Sequence, residues 1–86
     1  MTLTEYARAL EEHLIIRFPT TDGRWYASFE HAEVLLDGFL SGTTGYGSTP
    51  DLALKDYTKN IVGCTLAFDA FGKRRREYNV PKDLVY

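Results

Sequence analysis

The stretch from Gly45 to Asp51 combines residue types that suit the recognition of an anion. The stretch is predicted to be a flexible loop whose two glycines permit positive φ or the close approach of a backbone, Thr49 is a good N-cap, and Pro50 suits the first position of a helix. Free N–H groups and the helix dipole at such an end attract a phosphate or a carboxylate. The same residues are also typical of a plain junction between a loop and a helix, so both interpretations stay open.

A basic run from Lys73 to Arg76 is the second candidate. On a strand, Arg74 and Arg76 share one face with Tyr78, and the fixed fork of an arginine suits bidentate contacts with phosphate or carboxylate. The alternative is an outer strand whose charges protect it against pairing. An aromatic ring could also stack on a base. The predicted ligand-binding residues are therefore Tyr46, Gly47, Ser48, Thr49, Arg74, Arg76 and Tyr78, and the ligand is a host protein or a nucleotide.

A group of acidic residues with one imidazole suggests a metal site or an acid–base pair, formed by Glu30, His31, Glu33 and Asp37. The predicted strand sends Glu30 and His31 to opposite sides, and no second histidine follows at metal-ligand spacing. We therefore expect a solvated acidic face, no metal and no cofactor.

The candidates for a nucleophile are equally weak. Cys64 is the single cysteine and lies on a predicted strand beside Leu66 and Phe68, which indicates a core thiol. Ser48 and Thr49 have no histidine placed to act as a base, and the glycine-rich stretch lacks the Lys-Ser/Thr ending of a P-loop. We predict a binding protein without catalytic residues, not an enzyme.

The composition indicates one globular domain over residues 1–86, since 44% of the 86 residues are hydrophobic and 14% are aromatic. A domain of this size has little surplus stability, which a homodimer would increase. The net charge of −2 and the pI of 5.6 argue against broad nucleic-acid binding, although a local basic patch keeps nucleic acid as an alternative. Several aromatic residues exceed what so small a core can bury and predict a protein-binding face: Trp25, Tyr26, Phe39, Tyr46 and Tyr86.

No apolar run approaches the roughly 20 residues of a membrane span, and the first residues lack the pattern of a signal peptide. The sequence therefore predicts no membrane partner. The expected location is the cytoplasm, which would be the host cytoplasm for a phage-encoded chain.

Local patterns predict the first elements. A capping box of Thr2 and Glu5 starts a short amphipathic helix, and alternation then predicts a strand from residue 13 that closes at Pro19. Turn residues from Thr20 to Gly23 connect it to a second strand over residues 25–31. A third strand, bent at the Asp37-Gly38 turn, covers residues 34–41.

A second helix begins at Pro50 and stops near Gly63, with Leu52, Ala53, Tyr57 and Ile61 on its apolar face. Strands over residues 64–70 and 74–80 form a closing hairpin. The predicted fold is a two-layer α+β domain with the order α-β-β-β-α-β-β and helices on one face of an antiparallel sheet.

The run Trp25–Phe29, followed by residues 45–57 (GYGSTPDLALKDY), resembles the core of HicB-type antitoxin domains. In those domains a strand pair leads to a helix with a G-x-T-x-x-A-L start. The resemblance covers about the middle half of the chain. It implies neutralisation of a partner toxin and, in some members, interaction with nucleic acid.

A longer pattern is similar to small accessory proteins of bacteriophages and prophages. It comprises residues 25–34 (WYASFEHAEV), 45–50 (GYGSTP), 61–63 (IVG) and 74–81 (RRREYNVP). This resemblance implies a phage genomic setting and a protein that inhibits or sequesters a host component. That component would be an effector protein, a nucleic acid or a defence signal.

Overall fold

A computed structural model describes residues 1–18 and 21–86, so the predicted strand end at Pro19 and the predicted turn residue Thr20 lie outside the described residues. The described chain contains two helices, α1 (Leu3–Leu10) and α2 (Pro50–Ile61). The strands are β1 (Leu14–Arg17), β2 (Trp25–Phe29), β3 (Ala32–Leu36), β4 (Phe39–Ser41), β5 (Gly45–Gly47), β6 (Thr65–Phe68) and β7 (Arg76–Asn79). The α+β class with antiparallel pairing is confirmed.

The strands form two sheets, where the sequence predicted one. The order is β1-β2-β5 in the three-stranded sheet and β4-β3-β6-β7 in the four-stranded sheet. The physical reason is that β1 and β5 occupy both sides of β2, so that β3, which follows β2 in the chain, pairs with β6 instead.

Two strands replace the single bent strand of the prediction. Asp37 and Gly38 have φ values of 51° and 81°, which gives a two-residue turn with positive φ at both positions. Such a turn matches the twist of a hairpin, and β3 and β4 pair directly across it.

The predicted second strand is shorter than expected. β2 ends at Phe29, and Glu30 and His31 form the turn that follows. His31 has a φ of 61°, so the alternation of a strand no longer applies, and His31 Nε2 lies 3.1 Å from Glu30 Oε1. The expectation that these two side chains point apart is therefore wrong.

Both helix starts are as the sequence predicts. The side chains and backbone N–H groups of Thr2 and Glu5 form a reciprocal capping box. The backbone N–H of Thr2 donates to the Glu5 carboxylate, and this hydrogen bond lowers the pKa of Glu5. Thr49 caps α2, with Pro50 at its first position. No helix in the described ranges is both long and apolar enough to cross a membrane.

One apolar core joins the two sheets and both helices. Phe29 lies at its centre, with ring centroids 6.3 Å from Tyr6, 6.0 Å from Tyr57 and 5.5 Å from Phe68. Burial raises the pKa of Tyr57 to about 12. The buried cluster consists of Leu3, Tyr6, Ala7, Ala27, Phe29, Ala53, Tyr57, Ile61, Leu66, Phe68, Val80 and Leu84.

Cys64 is not the core residue that the pattern predicted. It precedes β6 and is half-buried, with its Sγ atom 3.7 Å from the carbonyl oxygen of Asn60. The strand begins one residue later, at Thr65, so the inward alternation starts with Leu66 and not with the cysteine.

Candidate functional site

The glycines before α2 are required by close packing. β5 pairs with β2, so the glycine-rich stretch is a strand in its first part and not a loop. A Cβ atom at Gly45 would lie 2.6 Å from Tyr57 Cα, and one at Gly47 would lie 2.5 Å from the backbone nitrogen of Ala53. Residues without a Cβ therefore let β5 press against α2, which fixes Tyr46 at the edge of the helix.

Tyr46 is held from several sides. Its backbone N–H donates to Asp56 Oδ2 at 2.9 Å, which ties β5 to α2. Its ring meets the ring of Tyr26 edge-on at 4.8 Å, and the guanidinium of Arg24 lies 5.0 Å from its ring centroid. The half-exposed ring of Tyr46 is therefore held in place, and it would lose little side-chain freedom in a contact with another molecule.

A pocket of about 720 Å³ opens between β5, α2 and residues 84–86. We call it the α2 pocket, and its lining consists of Tyr46, Gly47, Leu52, Lys55, Asp56, Thr58, Lys59, Leu84, Val85 and Tyr86. Exposed apolar or aromatic side chains contribute much of the wall, among them Tyr46, Leu52, Val85 and Tyr86. Exposed apolar groups that converge on one concavity are typical of a binding site.

The chain segment that closes the α2 pocket is anchored at both ends. Leu84 is buried in the core, and Val85 exchanges backbone hydrogen bonds with the start of the chain, at Met1 and Leu3. The hydroxyl of Tyr86 donates to Asp51 Oδ1 at 2.6 Å, and this bond raises the pKa of Tyr86. The wall formed by Val85 and Tyr86 is therefore a fixed part of the fold.

At the α2 pocket, the charged side chains that remain without a partner among the described residues are positive. Asp51 accepts from Tyr86, and Asp56 accepts from Tyr46, so both carboxylates of this region already have partners. Lys55 and Lys59 lie one turn apart on α2, and within residues 1–18 and 21–86 neither forms an ion pair. Two lysines beside an apolar wall suit a ligand that carries both apolar and acidic groups.

The first turn of α2 already has internal partners for several of its N–H groups. Pro50 has no N–H, the N–H of Leu52 donates to Thr49 Oγ1 at 3.1 Å, and that of Ala53 donates to the Thr49 carbonyl at 3.0 Å. The carboxylate of Asp51 adds a negative charge at the same end. A phosphate bound here would face that charge.

The predicted binding residues divide between two places. Tyr46 and Gly47 line the α2 pocket, and Ser48 and Thr49 lie just before α2, outside that lining. Arg74, Arg76 and Tyr78 line a different pocket, of about 510 Å³, beside the end of α1. The structure therefore does not bring the glycine-rich stretch and the basic run together in one pocket.

The basic run is partly neutralised. Both carboxylate oxygens of Glu12 lie 3.0 Å from Arg76 Nη2, and this hydrogen bonding raises the pKa of Arg76. Arg75 pairs with Glu77 at 2.9 Å. The run thus links the start of β7 to the end of α1, and β7 is an outer strand of its sheet.

Sequence reasoning missed part of the α2 pocket. It placed Leu52 on the buried face of α2, whereas the residue is 48% exposed and lines the pocket. The signal was present, because Leu52, Ala53 and Leu54 are three consecutive apolar residues and a single buried helical face cannot hold them all. The contribution of Val85 could not be found, since it depends on where the end of the chain packs.

Among the described residues, no group of three or more His, Cys, Asp or Glu side chains is placed to hold a metal ion. Comparisons of the chain with models of protein families, with curated proteins and with solved structures found no match.

Proposed function

We propose that this chain is a non-enzymatic binding protein of the phage or prophage type, which inhibits or sequesters a protein of the bacterial host. The α2 pocket is the observation on which the proposal depends. It gathers Tyr46, Leu52, Val85 and Tyr86 around one concavity, and these apolar or aromatic side chains are 43–57% exposed. The phage setting comes from the resemblance of the sequence.

The charges of the pocket indicate the chemistry of the partner. Lys55 and Lys59 lie beside the apolar wall, and the nearby carboxylates are already hydrogen-bonded within the protein. A matching segment of a host protein would insert an apolar or aromatic side chain and place acidic groups near the lysines. Such a segment is large enough to use the whole pocket of about 720 Å³.

A protein partner suits this geometry better than a nucleotide. A nucleotide needs hydrogen-bond donors for its phosphate. At the start of α2, the N–H groups of Leu52 and Ala53 already donate to Thr49. Asp51 places a carboxylate at the same position, and Arg76 is occupied by Glu12. These contacts support the protein version of the proposal over the version with a nucleotide signal.

Affinity capture from bacterial lysate with matched variants tests the proposal. Leu52→Asp and Lys55→Glu change the α2 pocket, whereas Phe71→Asp and Lys73→Glu make the same kinds of change at exposed positions in the β6–β7 turn. We expect a host protein that the unchanged chain and the two turn variants retain and that both pocket variants lose by at least about tenfold. Retention that is equal for all four variants would contradict the proposal.

A nucleotide screen separates the two ligand classes. Purified protein is mixed with mono-, di- and cyclic nucleotides at millimolar concentration, and its melting temperature is measured. We expect no stabilisation by any of them. Stabilisation by any of them would support the nucleotide version instead.

A further inference from the structure

The outer strands of the two sheets differ in how well they are protected. The outer strand β7 carries Arg76 and Glu77, and β5 is covered by α2 and bonded to it through Tyr46 and Asp56. β1 ends at the charged residue Arg17. Charge and coverage are the usual means by which proteins prevent unwanted strand pairing, and β7 and β5 use them, whereas β1 has a single charge at its last residue.

The strand β4 lacks such protection. From Gly38 through Pro50 the sequence has no charged residue. In the described part of the chain β4 pairs with β3 on one side and has no strand partner on the other. Leu36 and Phe39, which pair across the hairpin, are 67% and 77% exposed. An uncharged outer strand beside an exposed apolar pair is a template for pairing with another chain.

The turn geometry defines which backbone groups are free. The residues that flank a two-residue hairpin turn exchange both of their hydrogen bonds, so Phe39 bonds to Leu36 and, two residues on, Ser41 bonds to Val34. The N–H and C=O groups of Leu40 then point away from β3. Gly42, which follows β4, has no side chain, and a Cβ atom there would meet nothing within 4 Å.

We propose that β4 pairs antiparallel with β4 of a second copy of this chain, about a two-fold axis at Leu40. The two four-stranded sheets then form one continuous sheet of eight strands. Leu40 exchanges both hydrogen bonds with Leu40 of the second copy, and Phe39 lies opposite Ser41 of that copy. The inference does not depend on the proposed host partner.

The residues at this axis favour a second copy over an unrelated strand. A residue on a two-fold axis meets itself, so a charge there would be repelled, whereas Leu40 is neutral and apolar. Leu35 and Leu40 pair across the β3–β4 hairpin, so their side chains lie on the same face of the sheet. The two-fold axis places the same two residues of the second copy beside them, which gives a row of four leucines across both copies. On the other face, the small Ser41 leaves room for Phe39 of the second copy.

The oligomeric state of the full chain tests the pairing. In sedimentation velocity at a chain concentration of about 100 µM we expect a dimer. Leu40→Lys places two like charges at the axis and should raise the dissociation constant at least about tenfold. Glu77→Lys makes a similar change on β7, the opposite outer strand, and should leave the dimer intact. A chain that stays monomeric at about 1 mM, or a dimer that only Glu77→Lys disrupts, would overturn the proposal.

A cysteine experiment defines the register and does not require Leu40→Lys to fold. Hydrogen-bonded antiparallel pairs have Cα atoms about 5.5 Å apart, which a disulfide can span. With Cys64→Ser as background, we expect Leu40→Cys to form a covalent dimer under mild oxidation, detected by non-reducing electrophoresis. Glu77→Cys in the same background serves as the control. Equal rates of crosslinking in the two variants would reject pairing through β4.

Discussion

Gly45 has no Cβ atom, and this allows β5 to pack closely against α2 beside the candidate site. Its backbone lies so close to α2 that a Cβ atom would overlap the helix backbone, 2.6 Å from Tyr57 Cα. We expect Gly45→Ala to lower the free energy of unfolding by at least about 2 kcal/mol, because the atoms that the Cβ would meet belong to the backbone of α2 and cannot move aside as a flexible side chain could. Urea unfolding measures the change. Gly42→Ala is the matched control, since a Cβ atom there meets nothing within 4 Å, and an equal loss in both variants would contradict the close-packing argument.

Glu5 makes the stability of α1 depend on pH. The pKa of Glu5 is lowered from its ordinary value in the folded protein, chiefly because its carboxylate accepts the N–H of Thr2. A carboxyl group with a lowered pKa stabilises the fold above its unfolded pKa, and this contribution is lost as the pH falls through the folded value. We therefore expect the difference in unfolding free energy between the unchanged chain and Glu5→Gln to shrink as the pH falls from about 6 to about 3. A difference that stays constant over this range would show that the charge of Glu5 does not matter.

The start of α2 depends on its cap. Thr49 Oγ1 accepts from the N–H of Leu52 at 3.1 Å, so Thr49→Ala should cost about 1 kcal/mol of stability. Thr49→Ser keeps the oxygen and should recover most of this loss. Ser48→Ala, at the exposed neighbouring position, provides the control. Thermal unfolding followed by circular dichroism would contradict the capping role if Ser48→Ala were as harmful as Thr49→Ala.

The contact between Glu12 and Arg76 fastens the end of α1 to β7. Both oxygens of Glu12 lie 3.0 Å from Arg76 Nη2, whereas the pair of Arg75 and Glu77 is formed by two more exposed side chains. Because screening by solvent weakens exposed pairs, a double-mutant cycle should give a larger coupling for Glu12 and Arg76. We expect that coupling to fall when the salt concentration is raised. Equal coupling energies for the two pairs would contradict a role of the Glu12–Arg76 contact in positioning α1.

Elements with local signals were predictable from the sequence, and those that depend on distant contacts were not. The capping box of Thr2 and Glu5, the Thr49-Pro50 cap and the turn at Asp37 act over a few residues, so these patterns predict both helix starts and the β3–β4 turn. The strand β5 has three residues and exists because β2 and α2 lie on either side of it. Likewise the sequence around Tyr46 makes it a candidate, whereas the pocket that it lines depends on the packing of Val85.

At the scale of the whole molecule, Phe29 joins parts of the chain that lie in different sheets. Its ring touches Tyr6 of α1, Tyr57 of α2 and Phe68 of β6, so the three-stranded and four-stranded sheets share one core. A shared core couples the sheets, because either one alone would leave its apolar face in water. We therefore expect the two sheets to unfold in a single cooperative transition.

Phe29→Leu tests this coupling. Loss of the ring contacts should lower the free energy of unfolding by about 2 kcal/mol. Urea unfolding is followed by the fluorescence of Trp25 in β2 and by the amide resonances of Leu66 and Phe68 in β6, and the two midpoints should shift together. Phe39→Leu makes the same change at a side chain that is 77% exposed and should alter stability by no more than about 0.5 kcal/mol when the chain is monomeric. Separate midpoints in the two sheets would mean that each is stabilised by its own contacts, and Phe29 would then be a local packing residue of β2.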